Sequence, residues 1–72
     1  MTTPRQIGMR LKTLRTAKKW SQYELAKRAG ISRVHVRRLE DGASDPTVGM
    51  VKRLAKVLGV PLATLLGIRR PR

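Results

Sequence analysis

Two helix-starting signals follow one another closely in the middle of this 72-residue chain. Ser21 opens a Ser-x-x-Glu capping box that ends in Glu24, and Ser32 is a second N-cap. Gly30 lies between them, and glycine ends helices because it enters the left-handed conformation without a Cβ clash. The chain is therefore predicted to form two short helices joined by a turn of about three residues, which is a helix-turn-helix arrangement.

Amphipathic patterns on either side of this unit predict three further helices. Before it, a segment from about Pro4 to Lys18 carries one apolar stripe, formed by Ile7, Leu11 and Leu14. After it, Thr47 caps a helix that ends at Gly59, with an apolar face made of Val48, Val51, Leu54, Ala55 and Leu58. Pro61 begins a short fifth helix. The predicted fold is all-α, a compact bundle of five helices over residues 4–67, with flexible arms at 1–3 and 68–72.

The charge of the chain restricts the class of partner. Seventeen Lys and Arg residues stand against four Asp and Glu residues, so the formal net charge is +13 at pH 7. Hydrophobic residues nevertheless make up 40% of the chain, which is typical of a folded domain and not of a disordered one. A folded domain with this much self-repulsion indicates a polyanionic partner, either nucleic acid or an anionic membrane surface.

The sequence lacks the residues that membrane insertion, metal binding and catalysis require. No apolar run approaches the roughly 20 residues that span a bilayer, and Met1 to Gln6 does not begin a signal peptide. A cytoplasmic protein is therefore expected, associated with the nucleoid when bound to DNA. One His and no Cys cannot form a metal site, and no cofactor is expected. No enzymatic activity is expected either, because the sequence shows no nucleophile–base pair and no phosphate-binding glycine loop.

The second helix of the helix-turn-helix unit is predicted to have an apolar side and a basic side. At about 100° per residue, the inward side carries Val36, Leu39 and Glu40. The outward side then carries Val34, Arg37 and Arg38, and Arg33 projects forward from the start of the helix. In such a unit the start of the second helix meets base edges in the major groove, where an Arg fork matches guanine and Val34 suits a thymine methyl. A merely solvated basic face is the alternative, and the apolar Val34 at its centre argues against it.

Motifs along most of the chain resemble one family of DNA-binding regulators. They are Ile7-Gly8, Arg10-Leu11-Lys12, Leu14-Arg15, Ser21-Gln22, Glu24-Leu25-Ala26, Ala29-Gly30-Ile31-Ser32, Leu39-Glu40, Gly42, Pro46, Leu54-Ala55, Leu58-Gly59-Val60 and Leu65-Leu66. Together they are similar to the Xre/Cro family, the lambda-repressor-like helix-turn-helix domain. The resemblance implies a five-helix bundle that binds double-stranded DNA sequence-specifically, usually as a dimer. The leading hypothesis is a repressor that binds a palindromic operator as a homodimer, with half-sites about one turn (~34 Å) apart.

The resemblance also assigns roles to single residues. The family's base-reading positions match Arg33, Val34 and Arg38, and its phosphate-binding Gln matches Gln22 at a helix start, where backbone N–H groups favour an anion. The alternative for Gln22 is an ordinary first-turn residue. Further contacts to the DNA backbone are expected from Tyr23, Ser32 and His35.

Alternatives stay open at several of these positions. Tyr23 is equally compatible with half-burial against Trp20, and His35 with an idle surface position. The family places a structural salt bridge at the positions of Arg15 and Glu40, buried in the leading interpretation and exposed in the alternative. Gly49 inside the fourth predicted helix costs about 1 kcal/mol relative to Ala and is expected to permit a close helix approach.

A protein-interaction module, antitoxin-like or bridging, is the competing function, with DNA binding secondary. Its basis is an apolar patch near the C-terminus that suits either a dimer or a protein partner, predicted from Leu62, Leu65, Leu66 and Ile68. The following arginines, Arg69, Arg70 and Arg72, are predicted either to contact phosphates without sequence preference or to remain a solvated terminus.

Overall fold

A computed structural model describes residues 3–68 of the chain. Within these residues it contains five helices and no strand, which confirms the predicted all-α bundle. The helices are α1 (Pro4–Ala17), α2 (Gln22–Ala29), α3 (Arg33–Glu40), α4 (Val48–Leu58) and α5 (Leu62–Leu66). Met1, Thr2 and the three tail arginines of the predicted arms lie outside the described residues.

Hydroxyl side chains begin the first four helices, as the capping signals predict for three of them. The side chains of Ser21, Ser32 and Thr47 each accept a hydrogen bond from the backbone N–H three residues further on, at 3.0, 3.0 and 3.1 Å. The Ser21 box is only half formed, however. The Glu24 carboxylate does not return to the cap but pairs with Arg28 Nε at 3.2 Å.

Two residues of the predicted arms, Thr3 and Ile68, are part of the helix ends. Thr3 forms a complete capping box with Gln6, in which each side chain accepts from the other's backbone N–H at 3.2 and 3.0 Å. At the other end, the Ile68 N–H donates to the Ala63 carbonyl at 3.0 Å. The predicted flexible arms therefore included two residues that the helix ends hold in place by hydrogen bonds.

The core lies where the five apolar stripes meet. Its fully buried large side chains are Leu11, Leu25, Val36, Leu54, Leu58 and Leu65. Val48 was predicted on the apolar face of α4, but it is 68% exposed, so that prediction is wrong. The reason is its place as the first residue of α4, whose packing against α2 and α5 begins one turn later, at the buried Val51.

Helices α1 and α3 approach each other closely at Gly8. A Cβ built at Gly8 would lie 2.2 Å from the Leu39 carbonyl oxygen and 2.7 Å from that of Glu40. Gly49 does not have the predicted close neighbour, because it is exposed and the nearest atom to its Cβ position is Thr47 Oγ1 at 3.9 Å. The helix approach that requires a glycine therefore occurs at Gly8.

Lys19 has a left-handed backbone, with φ of 61°, at the end of α1. The Lys19 N–H donates to the Thr16 carbonyl at 2.9 Å and the Trp20 N–H to the Arg15 carbonyl at 3.2 Å, which is the Schellman pattern usually completed by glycine. An L-residue in this conformation costs about 1–2 kcal/mol. We expect Lys19→Gly to raise the free energy of unfolding in urea by about 1 kcal/mol.

The matched control for this change is Lys19→Ala, which removes the same charge and keeps a Cβ. It is expected to leave the free energy of unfolding unchanged within about 0.5 kcal/mol. An equal gain from both variants would attribute the stabilisation to reduced charge repulsion and not to the backbone.

Candidate nucleic-acid interface

Helix α3 has one buried side and one exposed basic side. Val36 and Leu39 pack into the core, and Glu40 is buried at the end of the helix. The structure places all four predicted base-reading residues on the exposed side, with Val34 65% exposed. We call this set, made of Arg33, Val34, Arg37 and Arg38, the reading surface. It combines three guanidinium groups with one apolar contact on a single protruding helix, which suits base edges in a major groove.

The turn between α2 and α3 holds the reading surface at a defined angle to the rest of the bundle. Gly30 has φ of 70° and ends α2, and the Ile31 N–H donates to the Ala26 carbonyl at 3.0 Å. The Ile31 side chain is half-buried against the core. Helix α3 packs against α1 as well as α2, so its exposed side is carried on a packed element and not on a loop.

Arg15 and Glu40 form a buried ion pair behind the reading surface. Arg15 Nε lies 2.6 Å from Glu40 Oε2, Arg15 Nη2 donates to Glu40 Oε1 at 3.1 Å, and the two side chains are 10% and 2% exposed. Arg15 Nη1 also donates to the Trp20 carbonyl at 2.6 Å. The exposed alternative is therefore wrong. This pair joins the end of α1 and the turn before α2 to the end of α3.

The Gln22 side chain belongs to the same polar cluster. Its Nε2 donates to Glu40 Oε1 at 3.1 Å, and Gln22 is half-buried at the start of α2. Sequence reasoning predicted a phosphate contact here and missed this bond to Glu40. No sequence signal indicates it, because the two residues lie on different helices with no shared periodicity.

A surface cavity of about 370 Å³ connects the start of α2 with the reading surface. It is lined by Gln22, Arg33, Val34 and Arg37. Two guanidinium groups and an amide around one opening form a cationic site with hydrogen-bond donors, which is the chemistry that contacts a phosphate oxygen.

The other predicted phosphate contacts lie around the same helix starts. Tyr23 is 59% exposed, so the alternative of half-burial against Trp20 is wrong. Cations flank the Trp20 ring instead, with Arg28 at 4.4 Å and Lys18 at 5.2 Å from its centre. A second cavity of about 490 Å³ places Tyr23 beside Arg33, so the Tyr23 hydroxyl is accessible next to the reading surface.

Ser32 and His35 lie at the first turn of α3. The Ser32 side-chain oxygen accepts from the His35 backbone N–H at 3.0 Å, and as an exposed hydroxyl it keeps its own hydrogen for a further acceptor. His35 is half-buried, on the flank of α3. Both positions suit contacts to the DNA backbone next to the groove that α3 would enter.

An acidic residue stands beside the reading surface. Arg37 Nε lies 3.9 Å from Asp41 Oδ2, one helical turn away, and both side chains are largely exposed. An exposed i,i+4 pair of this kind contributes only about 0.3–0.5 kcal/mol. The pair is therefore too weak to remove Arg37 from the candidates for base contact.

The predicted C-terminal apolar patch is not present as a patch. Leu65 is fully buried, and Leu62 and Leu66 are half-buried against the core. Among the four predicted residues only Ile68, at 59%, is largely exposed. The physical reason is that α5 is short and packs on both α4 and α1, so the bundle core itself takes up its leucines.

None of the helices between residues 3 and 68 is long and apolar enough to cross a membrane. Within the same residues, no three of the His, Asp and Glu side chains are grouped so that they could hold a metal ion.

Residues 11–65 match the model of a helix-turn-helix family, HTH_3. This span includes α2, the turn, α3 and α4 completely. Among curated proteins, the immunity repressor protein of Bacillus phage phi105 is 28% identical over 61 residues, which are 85% of this chain and 42% of that protein. The chain spans less than half the length of the curated relatives that it matches.

Solved structures of similar chains have the same fold. The restriction-modification controller protein C.AhdI from Aeromonas hydrophila superposes with a TM-score of 0.83 at 34% identity, over 86% of this chain and 94% of that one. SinR, the master regulator for biofilm formation crystallised in complex with DNA, superposes with a TM-score of 0.79 at 33% identity, over 83% of this chain and 97% of that one.

Proposed function

The chain belongs to the helix-turn-helix family HTH_3, and on this premise we propose that it is a transcriptional regulator that binds double-stranded DNA sequence-specifically. The observation that carries this proposal is the reading surface, an exposed side of α3 on which Val34 lies among three arginines. An exposed valine has no role on a merely solvated face. On a face that enters the major groove, it can contact a thymine methyl group. A cytoplasmic location follows from the DNA target as part of the proposal.

Roles for the individual residues follow from their positions on α3 and α2. Arg33 and Arg38 donate hydrogen bonds to O6 and N7 of guanine, and Val34 contacts a thymine methyl group. Arg37 breaks its ion pair with Asp41 and contacts the DNA instead. Gln22, Tyr23, Ser32 and His35 contact phosphates on either side of the groove, which sets the register of α3. The remaining positive charge adds affinity that falls steeply with salt and is independent of sequence.

We further propose that the protein represses transcription by binding a palindromic operator as a homodimer. A similar protein is named an immunity repressor, and two-fold symmetric regulators place their α3 equivalents in successive major grooves about 34 Å apart. An antitoxin-like or bridging module was the competing hypothesis. It loses the observation that favoured it, because Leu65 of the predicted patch is buried in the core and Leu62 and Leu66 are half-buried against it.

Selection of bound duplexes from a random pool tests the function. We expect a two-fold symmetric consensus, and we expect Arg38→Ala to relax one base position in each half-site at a cost of about 1–3 kcal/mol. Gln22→Ala should instead weaken binding to all sequences alike. Recovery of no consensus, or of single-stranded RNA, would contradict the proposal.

Lys56→Ala is the matched control for this experiment. Lys56 is an exposed cation on α4 and lies outside the reading surface. Its replacement lowers the net charge by one, as Arg38→Ala does. It is expected to reduce affinity slightly through the salt-dependent term and to leave the consensus unchanged. An equal loss of base preference in this variant would show that net charge, and not α3, sets the selectivity.

A further inference from the structure

The Glu40 carboxylate accepts hydrogen bonds from two side chains with different positions in the fold. Arg15 reaches it from α1 through Nε at 2.6 Å and Nη2 at 3.1 Å, and Gln22 reaches it from the start of α2 through Nε2 at 3.1 Å. The Glu40 side chain is 2% exposed. Gln22 is therefore attached to the buried interior of the bundle while it also lines the cavity beside the reading surface.

The bond to Gln22 is not required to complete the ion pair. An arginine and a carboxylate already satisfy each other in the two-bond fork that Arg15 and Glu40 form. The third bond instead restricts the Gln22 side chain in the free protein. Without this bond, Gln22 would lose its rotamer freedom, and the corresponding entropy, only when a ligand binds. A side chain held in its binding conformation before the ligand arrives binds more tightly.

The amide of Gln22 keeps hydrogen-bonding capacity after this contact. Its Nε2 carries two hydrogens, and the bond to Glu40 uses one. The other remains for an acceptor at the cavity where Arg33 and Arg37 also lie. A phosphate beside that cavity would meet the oriented amide N–H of Gln22, with the positive charge of the reading surface nearby and the charge of Glu40 neutralised by Arg15.

We propose that Glu40 is a positioning residue for DNA binding, which acts by orienting the Gln22 amide so that its second N–H donates to a backbone phosphate. The inference rests on the proposed function, because the phosphate is that of the bound duplex. Glu40 itself does not touch DNA. The buried ion pair therefore supports both the fold and the affinity for phosphate, through different hydrogen bonds.

Nuclear magnetic resonance of the full chain tests the free state without any substitution. The sequence contains two glutamines, Gln6 and Gln22, and no asparagine, so these two residues account for all side-chain carboxamide signals. Gln6 is exposed and serves as the internal reference. We expect one Nε2 proton of Gln22 to exchange with water at least about tenfold more slowly than those of Gln6, because a bond to a buried carboxylate protects it.

Addition of a random-sequence duplex about two helical turns long at low salt tests the bound state. The unprotected Nε2 proton of Gln22 is expected to shift, while the protected proton keeps its slow exchange. Gln22→Ala removes both signals and confirms their assignment. Exchange of both Gln22 protons as fast as those of Gln6, or loss of the protection upon DNA binding, would overturn the inference.

A double-mutant cycle on DNA affinity separates positioning from mere folding. Gln22→Ala is expected to weaken binding about fivefold, the value of one hydrogen bond. Glu40→Leu, which keeps a similar volume but has no acceptor for the Gln22 amide, should weaken binding by a similar factor when it is measured at a temperature at which circular dichroism shows it to be folded. The double variant should bind no more weakly than the weaker single variant, since both changes remove the same contact.

The outcomes distinguish this inference from the function on which it rests. Multiplication of the two effects to about twenty-five-fold in the double variant would show that Glu40 acts independently of Gln22, and would overturn the inference alone. Failure of the unsubstituted chain to bind any duplex would overturn the proposed function and the inference together.

Discussion

Gly8→Ala is expected to lower the free energy of unfolding by about 3 kcal/mol, the upper end of the usual cost of overpacking. The added methyl would lie 2.2 Å from the Leu39 carbonyl oxygen and 2.7 Å from that of Glu40. Both atoms belong to the backbone of α3, so no side-chain rotation can relieve the contact, and the two helices have to separate. Urea unfolding followed by far-ultraviolet circular dichroism measures the change.

Gly49→Ala is the matched control, and the sign of its effect should be opposite. Gly49 is the second residue of α4 and is exposed; apart from its chain neighbours and the backbone of its own helix, no atom lies closer than 3.9 Å to its Cβ position. The same substitution there is expected to raise the free energy of unfolding by about 0.5 kcal/mol, the low end of the value for a helix interior, because Gly49 lies in the first turn. A stability loss of similar size at both positions would contradict the structural basis of the prediction.

Glu40→Gln is expected to lower the free energy of unfolding by about 3–5 kcal/mol, because it leaves the Arg15 guanidinium buried without its counter-ion. Both side chains are largely inaccessible, at 10% for Arg15 and 2% for Glu40, so water cannot replace the lost partner. For a domain with a total stability of about 5–15 kcal/mol, this is a large share. Thermal and urea unfolding of the variant measure it.

The control is Glu24→Gln, which neutralises a carboxylate in an exposed pair. Glu24 and Arg28 lie 3.2 Å apart with side chains that are 39% and 51% exposed. A loss below about 1 kcal/mol is expected there. Equal effects at Glu24 and Glu40 would show that burial contributes nothing to the Arg15–Glu40 pair.

The bounds of the helices were predictable because caps and apolar periodicity act over a few residues. Ser32 and Gly30 perform in the structure the roles that their residue types predict. The exposed side of α3 was predictable for the same reason, since helical geometry alone separates Val34 from Val36.

Contacts between helices were less accessible to the sequence. The predicted patch of Leu62, Leu65, Leu66 and Ile68 has the correct residue types, but three of the four side chains pack against the bundle. Tyr23 and Val48 are exposed because no neighbouring helix covers them. An apolar residue on a short helix does not reveal whether its partner is the same chain or another.

The sequence by itself determined the order, bounds and facing of the helices, and with them a basic, valine-containing surface on the second helix of a helix-turn-helix unit. Those features depend on local backbone preferences and on the period of the helix. Only the tertiary structure decided that α1 and α3 leave no room for a Cβ at Gly8, and that Gln22 and Arg15 share the carboxylate of Glu40. Both depend on which residues distant in sequence meet when the helices pack, and no local preference specifies that.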